Sequence, residues 1–375
     1  MFERTIIKHK DLEVRVSDHA TEGMIEILSM AVQGSEGGLR FQLRNITSRI
    51  AEYGDKIRFV SLYRKNKVTG TVGSCYRITG QGKLQYPSSY LRYLAFDSVY
   101  QADISYRKKK EIIKTEKDDS FKKKTLDIFS KPHMVDFDLI GENDKHIMYA
   151  FVESMNERSK NLIHQVGYEY IRSFLTVAFS RFNPKPDPRV SRITTPEEKE
   201  KMRELLLDYY RDHSLFSTDH IFHGEKYYVL REGGEIVAGV NAIPSVYKIY
   251  DMPGVWGWIY MKILPKAPYF KRLFHPEEFR HLVFHALYCK KGREDLIANL
   301  FESVCAAEGY YTGLTWLDDR SELFEKLRTG VRMGALNRML NAKPGLVYTR
   351  FLNFTDEEKD VFYDAPAYIS GFDFS

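Results

Sequence analysis

The chain has 375 residues, 43% of them hydrophobic and 14% aromatic, enough to bury a sizeable core and to fill two domains. Residues 1–14 hold no apolar segment, and no apolar run nears the roughly 18 residues of a membrane span, so a cytoplasmic address without a membrane partner is expected. The three cysteines, Cys75, Cys289 and Cys305, are too scattered for a disulfide framework or a CxxC knuckle; buried thiols and no metal site are expected.

The net charge of +5 is unevenly placed. Between residues 101 and 131 ten Lys/Arg face six Asp/Glu, a surplus of four. Such a segment is a possible seat for nucleic acid. Because Glu111, Glu116, Asp118, Asp119 and Asp127 are interleaved with the cations, a solvated face is the plainer reading.

In chain order, amphipathic helical sequence over 21–53 leads into "FVSLYRKNKVTG" (59–70), which reads as a strand, a polar turn and a second strand. A further strand is expected in "LRYLAFDSVY" (91–100), then a helix over 120–129, a strand over 147–154, a helix over 159–166 and a closing strand. The tract "FNPKPDPRVSRITTPEEKEKM" follows. Pro184, Pro186 and Pro188 argue against regular structure, and Thr195-Pro196-Glu197-Glu198 combines a helix N-cap, a first-turn proline and early acids. The second half then repeats the order of the first: a helix over 196–213, a strand pair in "YYVLREGGEIVAG" (227–239), a strand in "FRHLVFHALY" (279–288), a helix over 295–307 and a strand over 310–317. The domains expected are 1–183 and 196–375, with 184–195 as linker.

The repeat can be aligned residue by residue. Gly70 falls on Gly239 at an offset of 169, and x-R-x-L-x-F-x-x-x-Y sets Arg92 on Arg280 and Asp97 on His285 at an offset of 188. The difference places an insertion in the aromatic, proline-rich "DMPGVWGWIYMKILPKAPYFKRLFHPEEF". Mixed α/β order predicts a mostly antiparallel sheet with a parallel pair near its middle.

The stretch "NERSKNLIHQVGY" (156–168), following the strand at 147–154, carries N-x-x-S-x-x-L-x-x-x-x-G-Y. With this element order it resembles the GNAT family of acyl-CoA N-acyltransferases, with Asn156, Ser159, Leu162, Gly167 and Tyr168 at the family's spacing. A weaker counterpart, "WLDDRSELFEKLRTG", sets Asp319 on Asn156 and Gly330 on Gly167. The resemblance implies an α/β fold of two tandem GNAT-like domains, and transfer of an acyl group, expected to be acetyl, from acyl-CoA to a small-molecule or peptide amine. The coenzyme's amide arm would bind between two parallel strands that splay apart, and its pyrophosphate at a helix N-terminus.

Asn156 and Ser159 in the first module, and Lys290, Lys291, Gly292 and Arg293 in the second, are the candidate acyl-CoA contacts. The family's glycine-rich turn is half present in "CKKGRED", where Glu294 replaces a small residue, and "QADISYRKKKEIIK" lacks glycine. Where the family places a general-acid tyrosine stand Ile163 and Lys326. For the base, the repeat offers His285, whose ordinary pKa suits an amine proton near neutrality, and Asp97. Trp256, Trp258, Tyr260, Tyr269 and Phe270 are candidates for an acceptor pocket or lid, or equally for packing across the domain interface. Two other functions stay open: aminoacyl transfer from tRNA, since Fem-type ligases also pair two GNAT-like domains, and acyl-CoA or partner binding without turnover.

Overall fold

The computed structural model describes residues 1–82, 84–97, 116–136, 138–267, 269–339 and 343–375. Arg107, Lys108, Lys109, Lys110 and Lys114 of the basic run, and nearly all of "QADISYRKKKEIIK", lie outside the described residues.

Fourteen strands form one sheet in the order β1-β2-β4-β5-β6-β7-β14-β8-β13-β12-β11-β10-β9, with β3 (Arg40–Leu43) added on β11. The first half contributes the hairpin β1 (Glu3–His9) and β2 (Leu12–Ser17), the antiparallel run β4 (Ile57–Arg64), β5 (Lys67–Gln81) and β6 (Leu84–Phe96), then β7 (His146–Glu153) and β8 (Glu169–Ser180). The second contributes β10 (Tyr227–Glu232), β11 (Glu235–Asp251), β12 (Phe279–Cys289), β13 (Thr312–Asp318) and β14 (Gly345–Leu352). Two pairs are parallel, β6 with β7 and β12 with β13, one per half as the repeat implies.

The halves exchange strands. β14 lies between β7 and β8, and β8 in turn pairs with β13. The tract 184–195 is not free of regular structure either. β9 (Val190–Arg192) pairs with β10, and the Asp187 amide donates to Ser303 Oγ at 3.0 Å.

The helices form where the sequence places their caps. Thr21 caps α1 (Glu22–Met30) and is followed by α2 (Ile46–Ala51); α3 is Glu116–Ile128. In α4 (Glu157–Gln165) Asn156 caps the first turn, and Ile163 is buried against Met148 and Val152 of β7. Thr195 caps α5 (Pro196–Tyr209) through the Glu198 amide, which turns Met202 and Leu206 inward. The inserted tract forms α6 (Gly254–Trp258) and short π and 3-10 turns, and α7 (Ile297–Glu308) and α8 (Glu322–Gly330) flank β13. After α9 (Ala335–Met339), β14 and α10 (Asp356–Asp364), residues 365–375 run back into the interior. All three cysteines are free and buried.

Candidate functional site

Each half contains a place where parallel strands part. β6 and β7 pair over Ser88–Leu91 and Ile147–Ala150, and β12 and β13 over Leu282–Val283 and Gly313–Leu314 only. Just beyond, each strand bulges: Tyr93 takes φ +61° and Ala286 φ +49°, with shifts of register against β5 and β11. A bulge leaves a residue outside the ladder and bends the strand away, freeing N–H and C=O groups on the far edge. Gly73 makes room for the first bulge, since a Cβ there would sit 3.2 Å from the Tyr93 ring.

The bulges correct the repeat alignment. Tyr93 and Ala286 are equivalent at an offset of 193, not 188, so Arg92 does not match Arg280, nor Asp97 His285. Asp97 follows the end of β6, where its amide donates to Thr69 and its carboxylate meets Lys67 at 3.2 Å. It lines a surface groove of about 500 Å³ with Arg15, Tyr63 and Glu22. His285 lies in mid-strand opposite Asn241, fully buried. The structure does not bring the two together. In the weaker motif, Ser321 rather than Asp319 caps the helix, through the Phe324 amide at 3.2 Å, while Asp319 accepts from Ser173.

The second splay is closed by the chain itself. Tyr227 donates to the Ala286 carbonyl at 2.8 Å and Tyr210 to the Leu287 carbonyl at 2.5 Å. Ala367 of the C-terminal segment forms a parallel bridge with Ser214 and donates its amide to Asp318 Oδ2 at 2.9 Å. The Tyr368 hydroxyl lies 3.2 Å from His285 Nδ1. What remains is a cavity of about 30 Å³ lined by Tyr209, His213, Thr315 and Asp318, room for a water or two. Among the described residues, no side chain caps the backbone of Tyr93 or Leu94 in the first splay in this way.

The candidate anion turn after β12 is likewise self-satisfied. Lys290 pairs with Glu235 at 2.7 Å, Arg293 with Glu232, and Lys291 approaches Glu322 at 4.0 Å. The Gly292 amide donates to Glu294 at 3.1 Å. Asn156 Oδ1 accepts from the Ser159 amide at 3.0 Å, so both residues build the first turn of α4. That turn flanks the first splay, since the Arg158 guanidinium lies 5.6 Å from the Phe96 ring at the end of β6.

Between the splays lies a buried polar interior. Asp373 holds Arg77 in two bonds of 3.0 and 2.8 Å and accepts from Tyr53; Arg92, beside the first bulge, donates to Tyr53 at 2.9 Å and to the Ser375 carbonyl oxygen at 3.1 Å. His220 stacks on Phe372 at 3.9 Å. On the inner face of β11 and β12, two cross-strand pairs carry unpartnered buried atoms: Asn241 Oδ1 with His285 Nε2, and Ser245 Oγ with His281 Nε2. Burial, with the charges of His220 and Arg77 nearby, holds the His285 pKa well below its usual range; burial alone pushes His281 down to about 4. A ligand or a water can complete the bonding of such atoms.

Sequence reading did not find the tyrosines at 210, 227 and 368 or the 365–375 segment. The available signal was aromatic density, in "DYYRDH" and "AYISGFDF".

No protein-family model and no curated protein matches the sequence. Among solved structures, the chain is similar to Saccharomyces cerevisiae N-myristoyltransferase with bound myristoyl-CoA, at 9% identity over 97% of this chain and 90% of that one, with a TM-score of 0.56. The same enzyme with myristoyl-CoA and inhibitors gives 10% identity, 98% and 88% coverage and a TM-score of 0.55. A GCN5-related N-acetyltransferase from Anabaena variabilis ATCC 29413 gives 10%, 90% and 72%, and 0.44. The chain has the GNAT fold, an α/β architecture in tandem two-domain arrangement.

Proposed function

We propose that the protein is an acyl-CoA-dependent N-acyltransferase whose first module holds the acyl-CoA and whose second module is a closed copy. The observation that carries this reading is the asymmetry of the splays. The second is filled by Tyr210, Tyr227, Tyr368 and Ala367, while the backbone beyond Tyr93 has no such cap among the described residues. The edge left uncapped by the described residues fits the amide arm of an acyl-CoA, which would add as a short strand. Myristoyl-CoA, bound by the yeast enzyme of the same fold, makes a long acyl chain as admissible as acetyl.

The thioester supplies the electrophile. A C–N bond to the acceptor amine forms as the C–S bond breaks, and the amine proton leaves with the coenzyme thiol. The chain positions the partners, with Asn156 and Ser159 shaping the α4 turn at the splay and Asn241, Ser245, His281 and His285 facing the acceptor. His285 meets the acceptor through a ring nitrogen. The Tyr368 hydroxyl lies 3.2 Å from Nδ1, which leaves Nε2, buried and without a partner among the described residues, as the ring atom that meets the acceptor. Asp97, ion-paired on the surface, is assigned no part in proton transfer. The amines admitted are small molecules or peptide N-termini.

Hydrogen exchange with and without acetyl- and myristoyl-CoA tests the assignment. Protection should rise at 93–96 and 151–154 and stay constant at 284–288 and 315–318. Protection at the second splay, or at neither, would overturn it. Thiol release on adding amines then separates turnover from binding alone.

A further inference from the structure

We propose that residues 254–272 form a docking ridge for an anionic phospholipid surface. α6 continues through a π-helical turn, Ile259–Ile263, and a 3-10 turn, Leu264–Lys266, as one helical stretch with two unlike sides. The inner side is fixed in the core. Gly257 lies under the Met252 carbonyl, where a Cβ would come within 2.1 Å, and Tyr260 is buried edge-on to Phe274 at 5.2 Å.

The outer side is apolar and uncovered. Val255 is 76% exposed, Trp256 50%, Trp258 58%, Ile263 46% and Tyr269 54%. At helical spacing Lys262 and Lys266 share the arc of Val255 and Ile259, and Lys271 and Arg272 follow. Residues 252–276 contain no Asp or Glu, and among the described residues none of these four cations has an ion pair. Lys248, just outside the tract, is paired with Glu277 at 2.8 Å.

Two observations choose the occupant. Lysine is depleted from protein–protein interfaces, whereas Trp and Tyr flanked by Lys and Arg seat at the headgroup level, where anionic lipid supplies the missing counter-charge. Tyr269 is also stacked on Phe182 at 4.6 Å, so the ridge is presented preformed. No described helix is long and apolar enough to cross a membrane, and the contact is peripheral. A peripheral contact needs no span, the ground on which no membrane partner was expected.

Trp256 and Trp258 are two of the three tryptophans, and Trp316 is buried, so intrinsic fluorescence reads the ridge directly. Phosphatidylcholine vesicles containing phosphatidylserine should shift the emission to the blue and shield it from acrylamide; phosphatidylcholine alone should not. By cosedimentation, Trp256→Ala/Trp258→Ala and Lys262→Glu/Lys266→Glu should each bind at least about tenfold more weakly. All these side chains are exposed, so thermal melts should match wild type. Binding that ignores phosphatidylserine, no binding, or variants that bind like wild type would overturn the proposal. So would a concentration-dependent dimer that the tryptophan variant abolishes, which would assign the ridge to self-association.

Discussion

Replacing Asp373 with asparagine changes almost no volume and removes one charge. Arg77 would keep its place in the core, its side chain 4% exposed, without the carboxylate that now takes two of its N–H groups. Breaking a buried pair on one side costs about 3–5 kcal/mol, far more than a surface pair contributes. At roughly 2 cal/mol/K of unfolding entropy per residue, 375 residues give about 0.8 kcal/mol/K, so a loss of about 4 kcal/mol lowers Tm by about 5 °C. Urea unfolding gives the free energy directly. Arg77→Met/Asp373→Leu, which removes both charges, should recover at least half of the loss because no buried charge is left unpaired. A single substitution that costs under about 1 kcal/mol, or a double variant worse than the single, would refute the docking of residues 371–375 in the interior.

Lys290→Ala/Lys291→Ala should leave acyl-CoA affinity and its salt dependence unchanged, because Lys290 already serves Glu235; a tenfold loss by titration calorimetry would move the coenzyme to the second module. Asn156→Ala should cost about 1 kcal/mol in urea and weaken acyl-CoA several-fold, while Asn156→Ser, which keeps the cap, should preserve both. Burial holds His146, His213, His220 and His281 at about 4 in the fold, against about 6.5 unfolded. Their contribution is complete above pH 6.5 and is lost as the pH falls toward 4, with a limiting slope of about 5 kcal/mol per pH unit for the four. Asp136, raised by burial to about 7, opposes this by about one proton, so the urea midpoint should drop steeply from pH 6.5 to 5; a flat profile would contradict the burial of these rings.

The parts of the fold legible in the sequence were those written locally. Thr195-Pro196 with two acids fixed the start of α5, the Asn156 to Gly167 spacing bounded α4, and Gly70 and Gly239 marked equivalent hairpins. Residues 12–17 alternate Leu and Val with polar residues as a strand does, but its partner β1 has Ile6 and Ile7 adjacent at a bulge, which hides the period of the hairpin. The insertion of β14 between β7 and β8 has no local signature, because a strand reads the same beside any neighbour. A bulge adds a residue without changing composition, so x-R-x-L-x-F-x-x-x-Y matched letters while missing the register. The pairing of Lys290 with Glu235 and of Arg293 with Glu232 was equally invisible, because those acids come from a distant turn.

The closed splay bears on the open one through a single segment. Ala367 and Tyr368 fill the second module, and within seven residues the same chain brings Phe374 against Phe151 and Trp316, and Ser375 to Arg92 beside the first bulge. Phe151 follows the last residue of β7 that pairs with β6, so the segment that plugs one splay forms a wall of the other. Were Pro366 and Ala367 to leave, Asp318 would lose the Ala367 amide and the first splay its aromatic floor together. On the proposed function the two modules are used unequally: the second gives up its own groove to the segment that shapes the first.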